Sequence, residues 1–164
     1  MALVVQQASL SDMPLISELA HLIWRSHYPA IIGHEQTEYM LAHFHNPEYL
    51  ANQLTNEKHL YYLIKNDDTV VGFLSYHLNQ APDAFLNKFY ILPDRQRSGA
   101  GHEALQLLEQ ALAGSNGLRL QVNRMNLKAI NFYFKNGFQI EQVGDFDIGN
   151  GYFMNDFVMY KKLR

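Results

Sequence analysis

The run Phe89-Tyr90-Ile91-Leu92-Pro93-Asp94-Arg95-Gln96-Arg97-Ser98-Gly99-Ala100-Gly101-His102 constrains this chain more than any other segment. An apolar strand enters a basic, glycine-spaced turn and passes directly into a helix. The first N–H groups of a helix have no intrahelical partners and sit at the positive end of its dipole, so such a turn can cradle a phosphate. Gly99 and Gly101 let a ligand approach the backbone, and Arg95 and Arg97 add charge that a phosphate can use. Glycines in a strand-to-helix turn can also do no more than relieve crowding. The spacing is neither G-x-G-x-x-G nor G-x-x-x-x-G-K-[ST], which argues against a dinucleotide fold and a P-loop NTPase.

The 164 residues suit one domain, 1–164, with no linker or repeat dividing it. With 48% hydrophobic and 18% charged residues the composition is that of a folded globular chain. A net charge of −3 without a basic stripe gives no reason to expect nucleic acid as a partner. Absence of cysteine removes disulfides, thiolate metal sites and cysteine nucleophiles. The eight histidines lack ligand spacing, so no metal is expected. Ala2 to Val5 is too short an apolar stretch for a leader or a membrane span, and the expectation is a cytoplasmic protein with no membrane association.

The pattern predicts a strand over 3–7, then a helix capped by Ser11 or Asp12 with Leu15, Leu19, Leu22 and Ile23 on one face. After Pro29 and Gly33 come a helix from about Glu35 and another beyond Pro47. Runs 59–65 and 69–78 around Asn66-Asp67-Asp68 read as a hairpin. A strand over 84–92 precedes the glycine turn, and a helix over 99–113 carries a stripe of Ala104, Leu107, Leu108 and Ala111. A strand over 118–122, a helix over 127–135 capped by Asn126 and stopped at Gly137, and a hairpin turned at Asn150-Gly151 complete the chain. Helices alternating with strands in the middle and hairpins at both ends argue for a mixed sheet with helices on its faces.

Two motifs carry a family resemblance. Gln96-x-x-Gly99-x-Gly101 after Ile91-Leu92-Pro93 resembles the acetyl-coenzyme A loop, [QR]-x-x-G-x-[GA], of the GNAT superfamily of N-acetyltransferases. Further on, Leu120-x-Val122-Asn123-x-x-Asn126-x-x-Ala129-Ile130-x-Phe132-Tyr133-x-Lys135-x-Gly137-Phe138 is similar to the later signature of that superfamily. The resemblance implies the α/β (α+β) single-domain GNAT fold, with a central mixed, mostly antiparallel sheet and helices on both faces. Asn126 and Tyr133 are seven residues apart, hence on one helix face and roughly 10 Å apart along the axis, with small Ala129 between them. A pantetheine arm fits along such a face.

The resemblance further implies acetyl transfer from acetyl-coenzyme A, as co-substrate, to an amine. The strand Phe89, Tyr90 and Ile91 would supply the oxyanion donor, and the turn Gln96, Arg97, Ser98, Gly99, Ala100 and Gly101 with His102 would hold the pyrophosphate. Asn126 would anchor the cofactor and Tyr133 would protonate the departing thiolate, although Tyr133 in Phe132-Tyr133-Phe134 also reads as a core aromatic. Many relatives place a glutamate on the strand before the loop; 84–90 has no carboxylate, leaving solvent, His27, Glu38 or Asp156 as the base. The segments Ile23 to Leu41 and Gly149 to Asp156 resemble bacterial GNATs related to polyamine acetyltransferases, which makes Trp24, His27, Tyr28, Tyr152 and Asp156 candidates to line the acceptor site. Glu35, Glu38, Asp145, Asp147 and Asp156 are available to a polycation. The expected acceptor is a small-molecule primary amine. A peptide or protein amine, and a non-catalytic acetyl-coenzyme A module, are the alternatives. Aromatic-rich C-terminal strands could also pair two copies as a homodimer.

Overall fold

In the computed structural model, which describes residues 3–96 and 98–164, the chain starts with strand β1 (Leu3–Gln7) and a short 3-10 turn, Leu10–Asp12. Four helices follow: α1 (Met13–His27), α2 (Pro29–Ile32), α3 (His34–Phe44) and α4 (Pro47–Thr55). Strands β2 (Leu60–Asn66), β3 (Thr69–His77) and β4 (Ala84–Ile91) lead to helix α5 (Ala100–Ala111). Strand β5 (Gly117–Asn123), helix α6 (Leu127–Lys135) and strands β6 (Gln139–Gly149) and β7 (Tyr152–Lys162) complete the order. The sheet runs β1-β2-β3-β4-β5-β7-β6. Only β4 and β5 pair in parallel, so the sheet is mixed and mostly antiparallel.

Local chemistry explains most boundaries. Pro47 opens α4 at a position where a missing N–H costs nothing, and the Asn46 side chain caps that helix by accepting from Tyr49 N–H at 2.8 Å. Asn126 caps α6, and Gly137 follows that helix in the left-handed region at φ +92. Asn150 and Gly151 both have positive φ, as a tight two-residue hairpin turn requires. Pro29 to Ile32 forms a short helix, where the sequence pattern marks only a break.

Two helical faces differ from the pattern. In α1 the buried set is Met13, Ile16, Ser17, Leu19, Ala20, Ile23 and Trp24, while Leu15 and Leu22 face outward. The helix is wedged between the sheet and its neighbour helices, and small Ser17 and Ala20 lie inside the contact. In α5 the inward set is Ala100, Gly101, Ala104, Leu105 and Leu108, and Ala111 is exposed.

Helices cover both faces of the sheet. Helices α5 and α6 pack on one core with Leu74, Leu86, Leu118, Leu120 and Met159, whereas α1, α3 and α4 pack on another with Tyr61, Leu63 and Phe73. Strand β4 serves both cores through a single irregularity. Ser75 pairs with Lys88 but Tyr76 pairs with Leu86, so Asn87 is an extra, bulged residue. Alternation is reset there: Ala84 and Leu86, then Phe89 and Ile91, face the α5–α6 core. Lys88 and Tyr90 consequently face α1, α3 and α4. Parallel pairing with β5 covers only Ala84 to Leu86 against Leu118 to Leu120, after which the two strands part.

Candidate active site

The opening between the parted strands leads into one cleft of about 490 Å³, lined by Asn87 to Ile91 of β4 and Gln121 to Asn123 of β5. One end reaches α5 and α6 through Gln96, Gly101, Lys128, Ala129 and Phe132. The other lies beneath α1, α3 and α4 and includes Trp24, Tyr28, Met40, His45, Tyr49 and Gln53. Tyr133 and Asn126, on one face of α6, line the same cleft.

At the first end, Gly99 holds φ +82 and ψ 1, a left-handed conformation that admits glycine at least cost, and a Cβ there would meet nothing within 4 Å. The first intrahelical bond among the described residues is from Glu103 N–H to the Gly99 carbonyl at 3.1 Å, and the N–H groups of Ala100, Gly101 and His102 have no backbone partner among those residues. Gly101 also serves packing, because a Cβ would sit 3.2 Å from the Phe132 ring. Gln96 braces the turn: its Nε2 donates to the Ile91 carbonyl at 2.9 Å and its Oε1 accepts from Lys128 Nζ. The His102 ring is bonded to Asn136 at 2.6 Å, which ties α5 to the end of α6. Phe89, Tyr90, Ile91, Gln96 and Gly101 line the cleft, and Ser98, Gly99, Ala100 and His102 flank that lining. Arg97 lies outside the described residues. The N-terminal N–H groups of α5, an open glycine and the Lys128 ammonium fit a pyrophosphate, and the gap beside β4 fits a slender arm leading inward.

Asn126 is a junction. Its Oδ1 accepts from Ala129 N–H at 3.3 Å and from His27 Nε2 at 3.0 Å, and its Nδ2 donates to the Tyr28 hydroxyl at 3.4 Å. The helix cap fixes the amide orientation, so His27 Nε2 bears the hydrogen and that atom is not a free base. Tyr133 is buried between Phe132 and Phe138, each ring 5.4 Å away, and its hydroxyl makes no hydrogen bond among the described residues. Burial, reinforced by Tyr28, raises its pKa and keeps the phenol protonated.

Beneath α1 the rings of Trp24 and Tyr28 stack at 4.0 Å, and His45 lies 4.8 Å from Trp24. Tyr28 is pushed up to about 12, chiefly by burial. Asp156, opposite Asn123 in the β5–β7 pairing, is only 3% exposed and its carboxyl is pushed up to about 6 by burial, against the pull of Arg124. It influences both Tyr28 and Tyr90 electrostatically, which puts it beside the inner end of the cleft. Three buried polar atoms have no partner among the described residues: Trp24 Nε1, His45 Nδ1 and Asp156 Oδ1, all on residues that line this cleft.

Trp24, His27, Tyr28 and Asp156 thus come together as the sequence predicts, but Tyr152 does not. Its ring lies tilted against that of Tyr39, 4.9 Å between centroids, and lines a separate shallow depression with Gln36 and Asp145, because the β6–β7 turn carries it past the cleft. Nor do the carboxylates converge. Glu38 is held in a two-point pair by Arg25 at 2.8 and 3.0 Å, Asp145 by Arg124 at 2.8 Å, and Asp147 caps Gly149 N–H at 2.8 Å. Of the acidic residues described, Asp156 alone lines the cleft.

Lys88, His45 and Gln53 escape the sequence reading. Lys88 is 7% exposed, and burial pulls its pKa down to about 7. The signal available was the lysine inside an otherwise apolar strand, but its direction depends on the bulge at Asn87.

Comparison with known proteins agrees with this geometry. The model of the acetyltransferase (GNAT) family matches residues 16–138. Over 99% of this chain and 98% of the other, the sequence is 26% identical to a spermidine N(1)-acetyltransferase of Thermoplasma acidophilum. It is 30% identical to an uncharacterised N-acetyltransferase of Mycobacterium tuberculosis over 69% of this chain and 73% of that one. The PaiA N-acetyltransferase of Thermoplasma acidophilum, solved in complex with coenzyme A, superposes with a TM-score of 0.82 at 27% identity, covering 99% of both chains. By the family match, by these relatives and by the parted β4 and β5, the chain belongs to the acetyltransferase (GNAT) family.

Proposed function

We propose that this protein transfers the acetyl group of acetyl-coenzyme A to the primary amine of a small molecule, with Tyr133 as general acid. The observation that carries this reading is the continuity of the cleft. It runs from the N-terminus of α5 to the lobe beneath α1, with Tyr133 on the same α6 face as Ala129 and electrostatically coupled to Tyr28 and Tyr90 at the inner end.

Acetyl-coenzyme A supplies a thioester whose carbonyl carbon is open to an amine and whose sulfur leaves as a thiolate. The N–H groups of Ala100, Gly101 and His102, with Lys128, hold phosphate oxygens. The β4 edge from Phe89 to Ile91, released from β5, offers N–H donors to the developing oxyanion. Tyr133 gives its hydroxyl proton to the sulfur; the burial that raises its pKa also makes a thiolate there more basic. Asp156 holds the acceptor nitrogen, which first gives up one ammonium proton to solvent to free its lone pair; as the bond to carbon forms and the bond to sulfur breaks, Asp156 takes the second proton, and the Tyr133 phenolate is reprotonated from solvent. The cap that α1, α3 and α4 place over the inner lobe favours a small acceptor above an extended peptide.

Release of free thiol from acetyl-coenzyme A across a panel of amines, amino acids and peptides tests the reading. Transfer to a small amine, lost in Tyr133→Phe, supports it. Transfer to peptides alone, or to nothing, overturns it.

A further inference from the structure

The inner lobe has an unusual polar inventory. Trp24 Nε1 is a buried donor with no hydrogen bond of normal length, although the Tyr90 hydroxyl is near enough to feel it, and His45 Nδ1, on a ring 4.8 Å away by centroids, is buried and unpartnered. Lys88 Nζ, which carries three hydrogens when protonated, has one hydrogen-bond partner among the described residues, the neutral Oε1 of Gln53 at 2.9 Å, which also accepts from the Tyr61 hydroxyl. The Tyr61 ring lies 5.6 Å from the ammonium, and no carboxylate forms an ion pair with it among the described residues. Trp24 Nε1 and Lys88 Nζ are donors, His45 Nδ1 takes either role according to its tautomer, and Asp156 Oδ1 is a lone acceptor.

Unsatisfied buried groups are costly, and a ligand that satisfies them binds accordingly. The order of the groups is informative. Asp156 acts on Tyr28 and Tyr90, the two residues that also couple to Tyr133. Lys88 acts on His45, whose ring lies 4.8 Å from that of Trp24. Asp156 thus lies toward Tyr133, and Lys88 and His45 lie toward Trp24.

We infer that the acceptor is a zwitterion: a primary amine held by Asp156 next to Tyr133, joined to a carboxylate or similar anion that docks on Lys88, His45 and Trp24. This rests on the acetyl-transfer reading of the same cleft and names its acceptor class. A polyamine finds one carboxylate in the cleft, and toward Lys88 its second cationic nitrogen meets a basic side chain in place of a second carboxylate. An anion there also charges Lys88, so its binding takes up protons. The charged and titratable groups around Lys88 are His45 after α3, Glu57 after α4, His59 before β2, and Tyr61 on β2.

The test uses the full chain with acetyl-coenzyme A and three acceptor series of matched carbon count: ω-amino acids from glycine to 6-aminohexanoate, monoamines and diamines, with spermidine added. The best ω-amino acid is expected to exceed its monoamine and every polyamine by about tenfold or more in kcat/KM. Lys88→Met is expected to bring the acid-to-monoamine ratio within about threefold of unity, whatever the absolute rates. A second measurement needs neither turnover nor a variant. With coenzyme A present, calorimetry at pH 8 in two buffers of different ionisation enthalpy is expected to show greater proton uptake for the ω-amino acid than for its monoamine. Preference for a diamine or spermidine, or an unchanged ratio in Lys88→Met, overturns the inference. If no amine is acetylated, the acetyl-transfer reading fails, and the calorimetric difference alone decides the anion site: equal uptake, or no binding of the acid, sinks it.

Discussion

Lys88 Nζ lies 2.9 Å from Gln53 Oε1, and this neutral amide is its one hydrogen-bond partner among the described residues. The lysine is held in the fold with its pKa at about 7, against 10.5 when solvated, so the unfolded chain binds more protons between those values and stability rises with pH across that window. Below pH 7 the full cost of charging a buried amine is present. Lys88→Met should therefore stabilise the protein by ~2–4 kcal/mol at pH 6, with the gain fading as pH approaches 10.5. Denaturant midpoints measured as a function of pH check this, and a gain independent of pH would refute it.

Asp156 presents the complementary case. Its carboxyl is pushed up to about 6 from 3.8, so the folded state binds the extra proton between these values, and above pH 6 the protein bears a buried, unpartnered charge. Asp156→Asn should raise stability above pH 6 by on the order of 2 kcal/mol while lowering turnover by about 10–100-fold. In the wild type, turnover should fall as pH drops through 6, and the variant should lose that limb. Opposite signs for stability and activity are what separate a working carboxylate from a structural one.

For Tyr133 the expected signature is a loss of rate alone. Its hydroxyl bonds no described residue, so Tyr133→Phe leaves the packing against Phe132 and Phe138 in place. Turnover should drop by about 10²–10³-fold, with coenzyme A affinity within about twofold and melting little changed. Single-turnover rates together with calorimetric binding would show it; undiminished chemistry would remove Tyr133 from the mechanism.

Replacing Asn126 should disturb several parts at once, because one side chain caps α6 and holds His27 and Tyr28. Asn126→Ala is expected to cost about 1–3 kcal/mol and raise KM for the acceptor. Asn126→Asp retains the cap acceptor but loses the donor to Tyr28, so it should recover most of the stability and little of the acceptor KM. Thermal melts and steady-state kinetics on the pair would distinguish the two roles.

Local signals in the chain carried the element order and the glycine-turn end of the cleft. Gly99, Asn126, Gly137 and Asn150-Gly151 each answer a demand of the backbone within a few residues, and the spacing of Asn126 and Tyr133 alone places them on one helix face. The lobe beneath α1 was legible only in part. Trp24, His27, Tyr28 and Asp156 could be named from segment resemblance, but Tyr152 was carried past the cleft by its hairpin, and Glu38 and Asp145 were neutralised by arginines elsewhere in the chain. Lys88, His45 and Gln53 went unnamed. Their meeting depends on the extra residue Asn87, which turns Lys88 away from the α5–α6 core, and on α3 and α4 reaching back over β4. Sequence by itself determined what each short segment can do, because caps, turns and helix faces are set by neighbouring residues. Tertiary structure decided which polar atoms are left buried without partners, because burial and pairing depend on groups tens of residues apart.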